Sequence, residues 1–414
     1  MDILAKRSIG KILKNDGLAI GAEAKKAKAK NPNVINSTLG TLYDENNEFY
    51  VFKTVDGVIK NLNNEDFYTY SSSVGTNEFH DSVIDWVFGD EKENILKQMY
   101  CKSIPTPGGT GAVSNSLYNS LDDNETLLLP NIYWKPYFDM ASSDGFAIEE
   151  YPFIKNSQFN MKDFVIYSNR IIAKQGKLVT ILNDPCNNPT GYSLSMEEFS
   201  NLIDYMNSRS DALFNVVLDI AYFDYSLEGR EACRKKFSLL TKANDNIIFN
   251  IAFSCSKTFS LYGVRLGAQI ILSKSKQMVD DIYASTGFLA RTRWSNVSKA
   301  GISLMTELYK NNQLKCDVIN ELNDAIKLIN ERAQLFIEEA NKNNLYLYPY
   351  KGGFFITILF SNPELLANEL KIQGVYVLPV ATGIRIAICS LPKKDIYRII
   401  KIIRLTIDDI SYWL

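Results

Sequence analysis

The middle of the chain alternates short apolar runs, rich in β-branched residues, with segments of helical periodicity. This alternation is typical of a mostly parallel sheet covered by helices, because strands buried on both faces read as nearly continuous apolar runs. The predicted strands are TLLLP (126–130), LVTILND (178–184), NVVLDIA (215–221), IIFNIAFS (247–254) and AQIILS (268–273). A ligand site is expected at the carboxyl ends of these strands.

The last third of the chain has a different pattern. Long helical periodicity covers residues 296–313 and 315–342, and short strands are predicted at 354–360 and 384–389. An amphipathic helix at 392–408 follows them. This order of elements predicts a second, smaller α+β domain.

The chain has no internal repeat and no Pro- or Ser-rich linker, so its domains are expected to be interleaved rather than arranged in series. We predict an N-terminal segment at 1–50 that packs with the small domain, a large domain at 51–315 and a small C-terminal domain at 316–414. The large domain is the one expected to carry the site.

Composition excludes several classes of protein. With 414 residues, of which 46% are hydrophobic and 12% aromatic, the chain has apolar mass for one large or two medium cores. The 45 Lys and Arg residues nearly balance the 47 Asp and Glu residues, so no overall charge attracts nucleic acid or an anionic membrane. No segment approaches the roughly 18 consecutive apolar residues of a membrane span. We predict neither a nucleic-acid partner nor a membrane.

The six cysteines are scattered, with no C-x-x-C pair and no neighbouring histidine. This pattern argues against a disulfide framework or a zinc site and favours a reducing compartment. The basic N-terminus has no apolar run long enough for a signal peptide. We therefore predict a cytoplasmic protein without a bound metal.

The single histidine limits the possible chemistry. His80 lies in the polar stretch NEFHDSV, which is typical of a solvated helix residue. A Ser-His-Asp triad would need this residue. General base work is therefore expected from a lysine, a carboxylate or a tyrosine.

Two turns at the ends of predicted elements could bind a ligand. Gly108–Gly111 opens a predicted helix, where unpaired N–H groups and the helix dipole favour an anion, and Thr110 could add a hydroxyl donor. Asn188, in LNDPCNNPTG (182–191), would present an amide at the end of a strand. Turns of both kinds also occur without any function, so a purely structural role stays open for each.

Asp219 interrupts an apolar strand, and Lys257 follows one. A lone carboxylate in the strand NVVLDIAY is unfavourable unless it faces a cation or donors, although Asp219 could instead cap a neighbouring loop. Tyr222 can converge with Asp219 only if the strand ends between them. At the rim of a low-dielectric core, Lys257 could lose its proton and form a Schiff base with an aldehyde. A solvated surface lysine is the alternative.

Further residues could recognise anions. Ser254, Ser256 and Arg265 surround Lys257 in SCSKTFSLYGVRLG and would suit a phosphate, the arginine through its charge and fork geometry. Arg385 opens an apolar strand in GIRIAIC, where it is either a snorkelled edge residue or a carboxylate receptor. The combination of a lysine, an acid, hydroxyl donors and an anion site is more specific than any one of them.

Taken together, these motifs resemble the class I aminotransferases of the fold-type I pyridoxal 5′-phosphate (PLP) enzymes, most closely the aspartate/aromatic amino acid subgroup. The resemblance runs from about residue 36 to 391. It implies PLP as cofactor and an α/β fold: a large domain with a mostly parallel sheet flanked by helices, and a smaller α+β domain.

The matching motifs imply a role for each residue. In S-x-S-K, Lys257 resembles the Schiff-base lysine. In D-x-A-Y, Asp219 and Tyr222 resemble the partners of the pyridine nitrogen and the phenolic oxygen, and Asn188 in N-P-T-G resembles a second donor to that oxygen. Other cofactor contacts are implied at the phosphate and the ring plane by Gly109, Thr110, Ser254, Ser256, Arg265 and Trp134.

The resemblance also implies a homodimer and a substrate with two carboxylates. Tyr70, in YSSSVGTNEF, resembles a tyrosine that reaches the cofactor phosphate of the partner subunit. Arg385 resembles the arginine that binds the substrate α-carboxylate. Arg291, in LARTRWSN, resembles the arginine that reaches across the dimer to a distal carboxylate, with Arg293 as the weaker candidate.

Three positions depart from the subgroup pattern. Gly108 stands where a serine is usual, Tyr137 where a histidine supports the pyridine-facing Asp, and Thr38 where a substrate-closing loop usually has glycine. Thr38 is still included as a substrate-binding candidate. These departures bear on substrate preference rather than on the core machinery.

The resulting prediction is an aminotransferase that moves amino groups between an L-amino acid and 2-oxoglutarate, with aspartate favoured and aromatic substrates possible. A PLP-dependent β-lyase or amino-acid decarboxylase on the same fold is the alternative, because fold does not determine reaction. A non-enzymatic PLP-binding module would need a fused DNA-binding region, for which the first 35 residues are too short.

Overall fold

The computed structural model describes residues 3–4, 8–12 and 17–413. Its helices are α1 (Gly17–Lys30), α2 (Lys53–Asn61), α3 (Asn64–Tyr68), α4 (Asn77–Phe88), α5 (Lys92–Gln98), α6 (Gly108–Tyr118), α7 (Pro136–Asp144), α8 (Met161–Gln175), α9 (Met196–Asn207), α10 (Arg230–Ser238), α11 (Cys255–Thr258), α12 (Lys276–Arg293), α13 (Lys299–Lys310), α14 (Asn312–Lys342), α15 (Pro363–Ile372) and α16 (Lys393–Trp413). Its strands are β1 (Ile35–Asn36), β2 (Tyr100–Thr106), β3 (Thr126–Pro130), β4 (Ala147–Tyr151), β5 (Ile154–Lys155), β6 (Gln158–Phe159), β7 (Lys177–Asn183), β8 (Leu213–Asp219), β9 (Ile247–Ser254), β10 (Gly267–Ser273), β11 (Phe355–Leu359), β12 (Val375–Tyr376), β13 (Leu378–Val380) and β14 (Gly383–Ala387).

The chain forms two compact units. One comprises Val51–Pro185 and Leu194–Asn323, and the other comprises Met1–Tyr50, Cys186–Ser193 and Asp324–Leu414. We call them the large and the small unit. The predicted division into functional domains at 1–50, 51–315 and 316–414 stays a prediction.

A seven-stranded sheet with the order β2-β10-β9-β8-β7-β3-β4 forms the centre of the large unit. β10 is antiparallel to both of its neighbours, whereas β9, β8, β7, β3 and β4 pair in parallel. The predicted α/β class with a mostly parallel sheet is therefore confirmed.

The sheet is buried because its strands are apolar on both faces. Every residue of β9 is buried, and so is every residue of β10. On one face, α6 packs through Ala112, Val113 and Leu117 against apolar side chains of the neighbouring strands. Burial of a full Val, Leu or Ile side chain stabilises the fold by about 1.5–3 kcal/mol, so this layer is a large part of the core.

The five strands predicted in this region are confirmed, with changes of a few residues at their ends. The largest difference is at NVVLDIA, where β8 ends at Asp219 instead of continuing to residue 221. The side chain of Asp219 accepts a hydrogen bond from the backbone N–H of Ala221 at 3.0 Å, which turns the chain out of the sheet. The first predicted long helix begins at Lys299, three residues late, because Ser298 caps it through the N–H of Gly301.

Two strands at the edges of the sheet were not predicted. β2 contains a proline, Pro105, and β4 reads AIEEY, with two charged residues in five. Both features weaken a strand pattern in sequence, yet β2 pairs along its whole length with β10. Edge strands tolerate proline and charge because one of their sides needs no ladder partner.

His80 is less solvated than its polar sequence suggests. It lies on α4, half-buried, with its Nδ1 atom 2.8 Å from Oγ of the buried Ser103 on β2. Burial lowers the pKa of His80, and the nearby Asp81 opposes that shift. The expectation of a solvated helix histidine is wrong, because α4 packs against β2.

A buried ion pair joins two distant parts of the large unit. Nζ of Lys236 on α10 lies 2.6 Å from Asp184 Oδ2, and the two side chains are 2% and 4% exposed. Lys236 also donates to the carbonyl of Leu194 at 3.0 Å, and Asp184 accepts from the N–H of Leu194 at 2.6 Å. Burial alone would lower the pKa of Lys236, but the charge and hydrogen bond of Asp184 raise it. The pair thus links α10 to Asp184 and Leu194 within the large unit.

The small unit contains a three-stranded antiparallel sheet in the order β11-β14-β13 and a parallel pair, β1 with β12. α15 packs on α16 and on β12, β13 and β14. The fully buried Arg332 donates to the carbonyl of Cys389 at 2.9 Å and to Glu45 Oε1 at 2.8 Å. These bonds connect α14, the segment before Tyr50 and the end of β14 within one unit.

Within the described residues, no helix is both long and apolar enough to cross a membrane. No group of three or more His, Cys, Asp or Glu side chains in that part of the chain could hold a metal ion. None of the six cysteines, all of which lie in the described part of the chain, forms a disulfide.

The buried ion pair makes a prediction for stability. Replacing Lys236 by methionine leaves Asp184 buried without its cation, so the free energy of unfolding should fall by about 3–5 kcal/mol. Urea unfolding followed by circular dichroism measures this loss.

Lys60→Met is the matched control, because Lys60 and Asp56 form an exposed ion pair within one helix. Such a pair contributes about 1 kcal/mol or less. A Lys236→Met protein no less stable than Lys60→Met would contradict the prediction.

Candidate active site

The carboxyl ends of three adjacent strands meet at one edge of the large sheet. β7 ends at Asn183, β8 ends at Asp219, and these two residues are aligned in register. Asn183 Nδ2 donates to the carbonyl of Asp219 at 2.8 Å. β9 ends at Ser254 and is followed at once by α11, which carries Lys257. The parallel pairing therefore brings together residues that lie far apart in sequence.

Lys257 is half-buried among aromatic rings. Its Nζ atom lies 5.6 Å from the ring centre of Tyr222 and 5.7 Å from that of Tyr262. Both distances are within the range of a cation–π interaction. The amine is thus held near Tyr222, as the predicted site requires.

Asp219 is a buried carboxylate with two donors. Oδ2 accepts from the hydroxyl of Tyr137 at 2.5 Å, and Oδ1 accepts from the N–H of Ala221. Burial raises the pKa of Asp219, whereas the Tyr137 and Ala221 hydrogen bonds and the charge of Lys257 lower it. A cationic N–H group placed against this carboxylate would offset the cost of its burial.

Tyr137 is a fixed donor. It lies on α7, fully buried, and its ring packs edge-on against Trp134 at a centroid distance of 5.3 Å. Burial, together with the charge of Asp219, raises the pKa of Tyr137 well above its ordinary value. The phenol therefore keeps its proton at neutral pH and can act towards Asp219 only as a donor.

The start of α6 forms a cradle for an anion. α6 begins at Gly108, and no side chain caps its N-terminus. Gly108 has φ +70°, and a Cβ atom there would lie 2.6 Å from Nη2 of Arg265. Arg265 in turn donates to Oγ of Ser256 at 3.0 Å, and Ser254 Oγ accepts from the N–H of Ser256. Uncapped N–H groups and a guanidinium thus converge at Gly108, whose positive φ favours glycine.

Arg265 itself has an unusual backbone conformation. Its φ is +57°, in the left-handed region that few non-glycine residues adopt. Such conformations cost about 1–3 kcal/mol and concentrate at ligand sites. The guanidinium of this residue lies beside Gly108.

The other predicted phosphate-loop residues differ in exposure. Gly109 is buried, and a Cβ atom there would lie 3.5 Å from Cβ of Ser254. Thr110 is exposed on the first turn of α6. Its hydroxyl is therefore accessible beside the cradle rather than used in packing.

The two residues that were predicted to act across a dimer are exposed. Tyr70 is 90% exposed. Arg291, also exposed, donates to Oγ of Ser295. Within one chain, these positions bring neither Tyr70 nor Arg291 into the group of residues around Lys257.

Arg293 is engaged elsewhere in the large unit. It donates to Ser114 Oγ at 3.0 Å, lies 3.9 Å from Asp144 and stacks at 4.3 Å over Tyr118. Arg291 is therefore the better placed of the two arginines to meet a partner or a substrate.

The small unit contains the remaining predicted residues, and it brings three of them together. Arg385, on β14, donates through Nη1 to Asn188 Oδ1 at 3.0 Å and through Nη2 to the carbonyl of Thr38. Its guanidinium lies 4.1 Å from the ring centre of Phe355. All four residues are buried. The stacking and the two hydrogen bonds orient the guanidinium plane.

Thr38 contributes its backbone, not its hydroxyl. Its Oγ1 donates to Asn36 Oδ1 at 2.7 Å, and its carbonyl accepts from Arg385. The hydroxyl is thus occupied within its own loop. A threonine is compatible with this position because the arginine contact uses only the main chain.

Two contacts were not predicted from the sequence. Tyr137 was identified only as the residue at the position, three after Trp134, whose histidine supports the Asp in relatives, and its own hydrogen bond to Asp219 was not predicted. Phe355 carried no signal beyond its place in an apolar strand. Both act through contacts between segments distant in sequence.

Residues 33–403 match the family described as aminotransferase class I and II. Among curated relatives, an aspartate aminotransferase of Pseudomonas aeruginosa is 24% identical over 384 residues, which is 90% of this chain and 92% of that relative. The similarity thus extends over nearly the whole length of both proteins.

Solved structures agree with this assignment. An aminotransferase from Anaerococcus prevotii is 29% identical, with a TM-score of 0.93 over 98% of this chain and 99% of that one. An aromatic-amino-acid aminotransferase from Burkholderia pseudomallei, covalently bound to pyridoxal phosphate, is 21% identical, with a TM-score of 0.80 over 97% of this chain and 100% of that one. At 21% identity, the second similarity shows a shared fold and nothing more.

The donor set of the large unit fits PLP. The cofactor has an aldehyde, a basic ring nitrogen and a phosphate, which call for an amine, a carboxylate and an anion cradle. Lys257, the buried Asp219 and the glycine cradle beside Arg265 supply these three groups within one unit. The chain belongs to the aminotransferase class I and II family and is a PLP-dependent aminotransferase.

Proposed function

We propose that this enzyme transfers the amino group of an L-amino acid to 2-oxoglutarate, with aspartate as the favoured donor and aromatic amino acids as possible donors. The observation that carries the proposal is the placement of Lys257 beside Tyr222, at the sheet edge where Asp219 is buried under the hydroxyl of Tyr137. This arrangement supports Lys257 as the residue that bonds covalently to the cofactor aldehyde.

When bound, PLP supplies an electron-withdrawing ring that stabilises negative charge at the substrate Cα. Lys257 would hold the cofactor through its aldehyde, and its Nζ, once free, would carry the proton that leaves the substrate Cα. With His80 bonded to Ser103 on β2, Lys257 is the residue of this site with the reach and chemistry for that transfer.

Asp219 would keep the ring nitrogen of bound PLP protonated. A carboxylate that is buried and hydrogen-bonded by Tyr137 gains from an N–H cation at contact distance, so it would favour the protonated ring. Tyr222 would donate to the phenolic oxygen, and Asn188 would be its second donor. Trp134, which packs on Tyr137, would contact the ring.

The cradle at the start of α6 would bind the phosphate of PLP. Gly109 and Thr110 supply N–H and hydroxyl donors, and the group around Lys257 adds Ser254, Ser256 and Arg265. The uncapped helix N-terminus and the guanidinium both favour a dianion.

Arg385 binds the substrate α-carboxylate, and Thr38 contributes to that contact by orienting its guanidinium. Asn188 and Phe355 have the same orienting effect, which supports a bidentate geometry. An arginine held in this way loses little conformational entropy when a carboxylate arrives.

We further propose a homodimer, in which Arg291 meets the distal carboxylate of a substrate held by the other subunit and Tyr70 meets its phosphate. The exposure of Tyr70 and Arg291 within one chain supports this role. Ser71 Oγ donates to the carbonyl of Val297 at 2.8 Å, so the segments bearing the two residues are joined. Location in the cytoplasm stays a prediction; cysteines that form no disulfide are consistent with a reducing compartment.

Lys257→Ala tests the central assignment. Loss of the proton carrier alone should lower the transfer rate by about 10²- to 10⁴-fold, and the visible absorbance of the lysine-bound cofactor should disappear. The assay mixes the enzyme with aspartate and 2-oxoglutarate and follows glutamate.

Lys60→Ala, at an exposed lysine of α2, is the control and should retain full activity. Appreciable turnover by Lys257→Ala would reject the assignment. Pyruvate or alanine formed in place of glutamate by the unmodified enzyme would support a β-lyase or a decarboxylase instead.

Tyr137→Phe tests the support of Asp219. Without the phenolic donor, the pKa of Asp219 should rise further. The carboxyl group would then become protonated, and ineffective, at a higher pH than in the unmodified enzyme. The acidic limb of kcat/KM should therefore move to higher pH. The rate above that limb should fall by about tenfold or more, since a hydrogen bond to a charged group contributes about 1.5–3 kcal/mol.

Tyr137→His is the matched variant, because an imidazole N–H can also donate to Asp219. It should recover more activity than the phenylalanine variant. Identical pH profiles for Tyr137→Phe and the unmodified enzyme would exclude this role.

Arg291→Met tests the preference for dicarboxylates. Loss of the cation should lower kcat/KM for aspartate by about 30-fold or more, because removal of one partner of a buried ion pair costs about 2–5 kcal/mol. The value for phenylalanine should change little. Arg293→Met is the control, and equal losses for aspartate and phenylalanine with Arg291→Met would contradict the assignment.

A further inference from the structure

Two residues just beyond Tyr222 hold the main chain at Lys257. The hydroxyl of Tyr225 donates to the carbonyl oxygen of Lys257 at 3.0 Å. Oγ1 of Thr258, the next residue, donates to Oδ2 of Asp224 at 2.7 Å. Tyr225, Asp224 and Thr258 are all almost fully buried. The carbonyl of Lys257 and the side chain of the next residue, Thr258, are therefore both bonded to one turn.

That main chain needs such external bonds. α11 is only four residues long, Cys255–Thr258, and a helix of one turn has almost no stability of its own. Its own helical bond runs from the N–H of Phe259 to the carbonyl of Cys255 at 3.1 Å. Another local bond to the Lys257 carbonyl, from the N–H of Ser260, is longer, at 3.3 Å.

The turn that provides the bonds is itself well defined. The 3₁₀ turn Phe223–Tyr225 follows β8 and is closed by bonds from the N–H of Phe223 to the carbonyl of Ile220 at 3.0 Å and from the N–H of Tyr225 to the carbonyl of Tyr222 at 2.9 Å. Ile220 in turn donates to the carbonyl of Ala252 on β9 at 3.1 Å. The turn is thus anchored to the strand that leads to Lys257.

Asp224 lies among cationic and hydrogen-bonding side chains. Burial raises its pKa, and the charges of Arg230 and Arg234, with hydrogen bonds from Thr258 and Trp86, oppose that rise. Nη1 of Arg230 lies 3.6 Å from Oδ1 of Asp224. The ring of Trp86 packs against Phe259, the residue after Thr258, at 4.9 Å.

We infer that Tyr225 and Asp224 are positioning residues that fix the peptide of Lys257, so that its amine stays in reach of the cofactor aldehyde. The inference rests on the proposed role of Lys257. A bond to the peptide restricts the origin of a side chain with four rotatable bonds, and this lowers the entropy lost when the amine bonds covalently. Asp219 and Tyr222 are presented by the same segment, so the turn sets the spacing between lysine and ring partners.

The test compares two forms of the cofactor in the full-length holoenzyme. PLP has an aldehyde that can bond to Lys257, whereas pyridoxamine 5′-phosphate has an amine and cannot. Each form is diluted, and the rate of cofactor release is measured by absorbance. A positioning residue should affect retention of the aldehyde form only.

Tyr225→Phe and Thr258→Val each remove one hydroxyl with little change of shape. Each should speed release of PLP by about threefold to tenfold, the equivalent of one hydrogen bond, and leave release of pyridoxamine 5′-phosphate unchanged. Tyr151→Phe is the matched control, because its buried hydroxyl has no hydrogen-bond partner among the described residues. It should change neither rate.

Equal acceleration of both cofactor forms by Tyr225→Phe and Thr258→Val would show a general structural role and overturn the inference. No acceleration in either variant would overturn it as well. The Lys257→Ala variant distinguishes failure of this inference from failure of the proposed role of Lys257. If the unmodified enzyme releases PLP no more slowly than Lys257→Ala does, the lysine assignment fails, and this inference fails with it.

Discussion

A carboxylate that is buried at the end of a strand has to be stabilised by donors and by positive charge, and Asp219 imposes that requirement on its surroundings. Burial raises its pKa, and the phenol of Tyr137 and the nearby charge of Lys257 act against that shift. Tyr137 can meet the requirement because its own burial keeps it protonated. The helix that carries Tyr137, the end of β8 and the amine of Lys257 are thus parts of one electrostatic arrangement.

Some of the residues in this arrangement are neighbours in sequence, and others lie far from them in the chain. Seven residues, 219–225, supply the buried acid, the aromatic ring beside Lys257 and the two side chains that bond to its peptide region. A shift of that segment would move all of these groups together. The supporting contacts come from elsewhere: Tyr137 lies 82 residues before Asp219, and Trp86 lies before both. The local chain geometry of 219–225 therefore sets the relative positions of these groups. Packing against segments distant in sequence shifts the pKa values of the two carboxylates.

The fold was largely predictable because its strongest signals are local. Strands that are buried on both faces must be apolar along their whole length, so β3, β7, β8, β9 and β10 could be found from runs of Leu, Ile and Val. The edge strands β2 and β4 could not, since an edge tolerates proline and charge that the centre of a sheet excludes. The end of β8 at Asp219 also escaped prediction, because a side-chain bond to the N–H of Ala221 ends the strand, and apolar periodicity does not record it.

The sequence by itself determined the fold class and the family, and it pointed to residues for the proposed chemistry, with Lys257 and Asp219 first among them. These predictions follow from residue types at fixed spacings, and such spacings can be read directly from the amino-acid sequence. Only the tertiary structure decided which groups support them: Tyr137 on Asp219, Phe355 under Arg385, and the bonds from Tyr225 and Thr258 around the Lys257 peptide. Most of these contacts join segments that are far apart along the chain, and strand pairing and side-chain packing bring those segments together. Spacing in one dimension does not encode that proximity.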